Sequence, residues 1–231
     1  MLIAIHQPDY IPYLGYFYKI SKVDKFVFLD NCQYSNDNMH NWNRIKTPQG
    51  ELKLKIPVDY VFKDPINSVR TRDELSWKEK HLKTIQMNYS RSEYYLQVFP
   101  KLEELLFGSY RNLADLNIEI NSWIIRSFGF QVRLLKSSDM DINSFSEKRV
   151  IDICNLLGGD TYISGNGARA YQEEENFKNR GIKLVYTDYR PIEYKQLWDK
   201  VGFLKNLSIL DFIFNCGFNW NYVIQMMKDL D

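Results

Sequence analysis

The residues best suited to chemistry open the chain. His6, Gln7, Pro8, Asp9 and Tyr10 follow a short apolar run, Leu2 to Ile5, and precede Pro12, Tyr13 and Gly15. A neutral imidazole at a strand end can act as a general base or hydrogen-bond a phosphate or sugar hydroxyl. Asp9 could orient it, and so could Asp30, which with Asn31 and Gln33 follows a second apolar run, Lys25 to Leu29. Arg44, beside His40 and Trp42, is the third candidate. A guanidinium reads phosphates and carboxylates bidentately, while Trp42 or Tyr10 could stack on a base or on a sugar. Ser164, Gly165, Asn166 and Gly167 are the fourth, since two glycines at a strand end leave backbone N–H groups free as an anion nest. Arg169 would reinforce it. Plainer readings stand beside these: a structural histidine bonded to a loop carbonyl, a hairpin with Trp42 in the core and Arg44 solvated, and an ordinary turn.

The elements that must position these residues are legible from their periods. Apolar run, Phe17, Ile20 and Val23 at helical spacing, then apolar run reads as a βαβ unit with parallel strands and a right-handed crossover. Pro8 and Pro12 stiffen the loop, and Gly15 allows a close approach by a ligand or helix. Both polar clusters then lie at carboxyl ends of adjacent strands, where open α/β sheets bind ligands. Thr47 to Gly50 is a turn signal followed by strict alternation from Leu52 to Val58, a β-hairpin. Ile66 and Val69 suggest a further short strand. Ser76 and Glu79 fit a capping box opening a helix to Ser90, and helices follow over 94–107 and 114–128. Strands at 130–135, 161–163 and 182–186 alternate with a helix capped by Ser146, and a helix stopped by Gly217 is followed by a last aromatic turn of helix. The expected fold is α/β, a three-layer Rossmann-like, mainly parallel sheet in one domain over 1–231, with a hairpin insertion over about 42–75. Ser164 to Gly167 reaches the other clusters only if its strand neighbours the first.

Composition narrows the function. The chain has 231 residues, 45% hydrophobic and 15% aromatic, with 30 basic against 29 acidic residues. That balance argues against a nucleic-acid or membrane-surface binder. Cys32, Cys154 and Cys216 are far apart, which fits a reduced, cytoplasmic compartment without zinc site or disulfides. The opening apolar run is too short for a signal peptide, and no segment reads as a membrane span. No Walker A, G-x-S-x-G, H-E-x-x-H or metal-ligand spacing is present. His81, inside a helix, reads as structural, and Glu173 to Glu175 as a solvated run.

The opening His6-Gln7-Pro8-Asp9-Tyr10, with Pro12, Tyr13 and Gly15, resembles the start of the WbqC-like family. Asp24, Asp30, Gln33, Trp42, Arg44 and Pro57 continue the match. So do Ser164-Gly165-x-Gly167 with Tyr171, and Ser208, Asp211, Phe214, Asn215 and Gly217. Members often carry Trp at the place of Tyr13. The resemblance implies a bacterial cytoplasmic enzyme of surface-polysaccharide biosynthesis acting on an activated sugar. A second, fold-level likeness is to nucleotidylyltransferases of the HIGH superfamily, but Tyr13-Leu14-Gly15-Tyr16 lacks both histidines of their H-x-G-H loop. The expectation is a transferase that modifies a nucleotide-linked amino sugar by acyl or aminoacyl transfer, with no cofactor indicated. His6 would be the base, Asp9 or Asp30 its partner, and Arg44 with the Ser164–Gly167 loop would hold the diphosphate. The alternatives are a non-catalytic sugar-nucleotide-binding partner of a glycosyltransferase and a nucleotidyltransferase-like enzyme.

Overall fold

The structure, a computed structural model, describes residues 1–229. Strand β1 (Leu2–His6), helix α1 (Leu14–Ile20) and strand β2 (Lys25–Phe28) form the opening βαβ unit. The strands pair in parallel, Ile5 opposite Val27 and His6 opposite Phe28. The chain then leaves the sheet for an antiparallel hairpin, β3 (Trp42–Thr47) and β4 (Gly50–Lys55), with Arg44 opposite Lys53. A smaller pair follows, β5 (Val58–Asp59) with β6 (Arg70–Thr71). Between them Ile66–Ser68 is a 3-10 turn rather than a strand, and Ile66 and Val69 are both buried.

Three helices come next, α2 (Trp77–Tyr89), α3 (Tyr95–Leu106) and α4 (Leu113–Ser127). The chain returns to the sheet in β7 (Arg133–Lys136), crosses in α5 (Ser146–Leu156) to β8 (Thr161–Ser164), and crosses again past α6 (Glu174–Lys178) to β9 (Lys183–Tyr186). Helices α7 (Ile209–Cys216) and α8 (Trp220–Lys228) close the described chain. The five-stranded sheet runs β7-β2-β1-β8-β9 with every pairing parallel, a Rossmann-like α/β arrangement.

Alternation within the central strands builds two cores, because a strand turns successive side chains to opposite faces. Ala4, Phe26 and Phe28 face α1, α4 and α7, whereas Ile3, Ile5 and Val27 face Ile151, Ile153, Cys154 and Phe177 of α5 and α6. Strand order reverses between β1 and β8, and a ligand crevice belongs outside the carboxyl ends at such a point.

Two helix starts differ from the sequence reading. Ser76 and Ser146 are left-handed, with φ of 50° and 53°, and neither makes a side-chain cap. A cap needs extended backbone to lay the hydroxyl over the first-turn N–H groups, and a left-handed residue points it elsewhere. Asn112 does cap α4, accepting from the Asp115 N–H, and Ser208 caps α7 through the Leu210 N–H. Among the described residues no helix is long and apolar enough to cross a membrane.

Candidate functional site

His6 is the last residue of β1. Its Nδ1 is 3.2 Å from the Gln7 carbonyl, which can only accept, so Nδ1 carries the proton and the lone pair sits on Nε2. The ring stands edge-on to Tyr16 at 4.9 Å and keeps 38% of the side-chain surface open. Asp9 lies below, its Oδ2 3.7 Å from His6 Nδ1 and its Oδ1 4.0 Å from His40 Nε2. Only 8% of Asp9 is exposed, and its Oδ1 is buried without a hydrogen-bond partner. His40 is fully buried. It accepts from the Ser35 N–H at Nδ1 and donates from Nε2 to Gln7 Oε1 at 3.1 Å. Burial pushes its imidazole down to about 4, so it serves this site as a neutral donor.

Helix α1 adds a cation that sequence reasoning passed over. All seven of its residues are buried, Lys19 included, and the Lys19 amine donates to the Ile5 carbonyl at 3.4 Å. The signal was present: Leu14 to Ile20 has no polar face to turn outward, so its one lysine had to go inside. Burial lowers the Lys19 amine to about 7 against the opposing pull of Asp9, and burial raises the Asp9 carboxyl to about 7 against the pull of Lys19. Burial first, and the Lys19 cation second, hold the His6 imidazole well below its usual range.

The loop carrying these groups has each of its carbonyls from Pro8 to Pro12 partnered. Asn117 of α4 donates to the Pro8 and His40 carbonyls, Asn121 to the Asp9 carbonyl, and Asn43 of β3 to those of Tyr10 and Ile11. The Ile209 N–H takes the Pro12 carbonyl. These bonds hold Ile11 at a φ of 39°, a strained value for a β-branched residue.

Other expected site residues fall into different places. The Ser164–Gly167 loop does join the site's edge, because β8 pairs with β1, Leu2 with Thr161 and Ile3 with Tyr162. Ser164 is buried and donates to Gln172 Oε1, while Asn166, Gly167 and Arg169 are exposed on a 3-10 turn, Gly165 half-buried at its start. Arg169 stacks over Tyr186 at 4.2 Å, and Tyr171 is 71% exposed. Gln33 is exposed and bridges to Pro65.

Four placements depart from expectation. Tyr10 cannot stack on a ligand: it is fully buried and its hydroxyl donates to His81 Nδ1, whose Nε2–H goes to the Lys55 carbonyl. Asp30 does not orient His6, since its oxygens accept from Ser137 Oγ, the Ser138 N–H and Ser138 Oγ, fastening β2 to β7. Gly15 is approached by the molecule's own rings, because a Cβ there would meet Tyr13 at 2.4 Å and Tyr189 at 2.6 Å. Arg44 lies on the hairpin face with Trp42, paired to Glu51 at 2.7 Å, and Lys53 covers the Trp42 ring at 3.6 Å. Asn31 instead meets a residue the sequence reading left aside, Arg149 of α5. Among the described residues no group of three or more His, Cys, Asp and Glu side chains could hold a metal ion.

The Asp9–Lys19 pair makes stability depend on pH in a definite way. Unfolded, the two titrate near their ordinary values of 3.8 and 10.5. Below about 7 the folded chain keeps an Asp9 proton that the unfolded chain has released, so this stabilisation is lost as pH rises toward 7. Above about 7 folded Lys19 is neutral while unfolded Lys19 still binds a proton, so stability recovers as pH rises further. The unfolding free energy of wild type minus that of Asp9→Asn/Lys19→Met, from urea denaturation across pH, should pass through a minimum near neutrality, with slopes of at most about 1.4 kcal/mol per pH unit and group. A difference that stays flat across the range would mean that neither group titrates there.

A half-exposed neutral histidine whose Nε2 carries the lone pair, a buried carboxyl and a buried amine thus meet at the reversal of strand order. The chain is 33% identical over 219 residues to the uncharacterized protein Rv1507c of Mycobacterium tuberculosis (strain ATCC 25618 / H37Rv), covering 93% of this chain and 94% of that one. The WbqC-like protein family's sequence model matches residues 7–221, from the Gln7 beside His6 into the first turn of α8, and the chain therefore belongs to that family.

Proposed function

We propose that the protein is a transferase that acylates the amino group of a nucleotide-linked sugar, with His6 as general base. The observation that carries this is the tautomer of His6. With Nδ1–H on the Gln7 carbonyl, Nε2 presents its lone pair on a ring that is 38% open. As the sugar's amine attacks the donor carbonyl, Nε2 takes its proton, the C–N bond forms and the bond to the leaving group breaks. The imidazolium then returns the proton to the leaving group. Asp9 Oδ2, 3.7 Å from Nδ1, favours that transient cation. The Ser164–Gly167 loop beside β1 supports the nucleotide in this reading, and Arg44 contributes only when its Glu51 ion pair opens. The activated sugar itself is what the family resemblance implies.

The test joins binding and mass. Nucleotide-linked amino sugars are screened by thermal shift, then incubated with acyl and aminoacyl donors and weighed by mass spectrometry. A site filled at 100 times Kd adds about 2.7 kcal/mol, a visible shift. The expected result is stabilisation by an amino sugar nucleotide and a product heavier by one acyl unit. Stabilisation without any mass gain across the donors would set the transferase reading aside in favour of a carrier role.

A further inference from the structure

We propose that the start of α5 and the carboxyl ends of β2 and β7 form an anion seat for a phosphoryl group, with Arg149 as its main donor. Arg149 is 7% exposed, yet it takes part in no ion pair among the described residues. Its Nη2 donates to Asn31 Oδ1 at 2.6 Å and its Nη1 to the Asn31 carbonyl at 3.4 Å, and its Nε is buried with no partner. A guanidinium has five N–H groups, so most of the fork remains for something else. Removing a charge from water is costly unless an opposite charge meets it, and among the described residues nothing ionised meets this one directly.

The neighbours sharpen the point. Asp30 stands beyond the Ser137 hydroxyl, which donates to both Asp30 and Asn31, but both Asp30 oxygens are already engaged. Cys32 sits in the field of Arg149 as a neutral thiol, pushed up to about 11 chiefly by burial. Helix α5 has 11 residues and no side-chain cap, so its first N–H groups and the positive end of its dipole add to the seat. Glu147 in that first turn is turned away, accepting from the Glu173 N–H and Asn176 Nδ2. A crossover helix between parallel strands starts at their carboxyl ends, so the seat lies on the ligand edge of the sheet. It is continuous with the His6 site: the Gln7 amide faces the Cys32 thiol on one side and accepts from His40 on the other.

The donors outnumber what one planar carboxylate can accept, which favours a phosphoryl group. The identity of its carrier, the diphosphate of a nucleotide-linked sugar, rests on the function proposed above; the seat itself does not. Calorimetry on the full chain with pyrophosphate, inorganic phosphate and acetate tests it, using wild type, Arg149→Met, Arg149→Lys and Arg44→Ala. Pyrophosphate should bind wild type and weaken about tenfold to hundredfold in Arg149→Met. Arg149→Lys keeps the charge but loses the fork, and should weaken binding several-fold even if Arg149→Met fails to fold. Acetate should not compete. No binding of pyrophosphate, or loss in Arg44→Ala with undiminished binding in Arg149→Lys, would overturn the seat. A nucleotide sugar held equally well by wild type and both Arg149 variants would also overturn it while leaving the proposed function standing. Pyrophosphate bound through Arg149 with no nucleotide sugar bound would uphold the seat and remove that function.

Discussion

His6→Ala should lower acyl transfer to a nucleotide-linked amino sugar by about 10²–10⁴-fold, the usual worth of a positioned general base. Affinity for the sugar nucleotide should change little, because in the proposed arrangement the phosphates and base are held away from His6 and the imidazole acts on one proton. The pH profile separates a base from a structural ring. His6 is held neutral well below its usual range, so it is available throughout the neutral range and its own titration does not limit the rate there. Asp9, at about 7, does titrate there, and its carboxylate form stabilises the imidazolium, so wild-type turnover should climb through neutrality. Asp9→Asn should be slower and should lose that climb. A His6→Ala enzyme within about tenfold of wild type would remove the base assignment.

Asp211→Ala should be among the most destabilising single substitutions, at about 3–5 kcal/mol, the range for removing one partner of a buried charged network. Asp211 is fully buried and accepts from Tyr89 at 2.8 Å, Tyr194 at 2.9 Å and Gln196 at 2.7 Å. The Tyr89 hydroxyl also accepts from the Lys46 N–H, so one carboxylate ties α2, β3 and α7 to the segment after β9. Alanine would strand those donors without water. For a chain of this size the melt should fall by about 6–20 °C, at about 2–4 °C per kcal/mol. Tyr89→Phe leaves Asp211 satisfied by its other two donors but takes the acceptor from the buried Lys46 N–H, so it should cost about 1–3 kcal/mol, still less than Asp211→Ala. Urea denaturation of the pair gives the comparison, and equal losses would contradict the network.

The opening βαβ unit was legible because burial on both faces of a parallel sheet demands unbroken apolar runs, and Leu2 to Ile5 and Lys25 to Leu29 supply them. The place of Ser164 was not, since it depends on β8 lying against β1, and strand order is written in no local pattern. Ser76 and Ser146 carry cap-like sequences, but the sign of φ is fixed by the chain arriving from elsewhere. Tyr10 and Asp30 misled for a related reason: a polar group at a strand end looks like a site residue until its partners, His81 and Ser137 with Ser138, are known. Lys19 and Arg149 escaped notice through the opposite default, which assigns every charged residue to solvent. Both are buried, Lys19 against the end of β1 and Arg149 against Asn31 just beyond β2.

The asparagine clasps on Pro8 to Ile11 have a consequence for kinetics. A loop whose carbonyls are each held by another element cannot open alone; α4 or β3 must come away first. Amide exchange at Tyr10, bonded to the Met39 carbonyl, should therefore follow global unfolding rather than local fraying. A ligand arriving at His6 meets a surface already set, so association should be a single concentration-dependent phase with no slower isomerisation behind it.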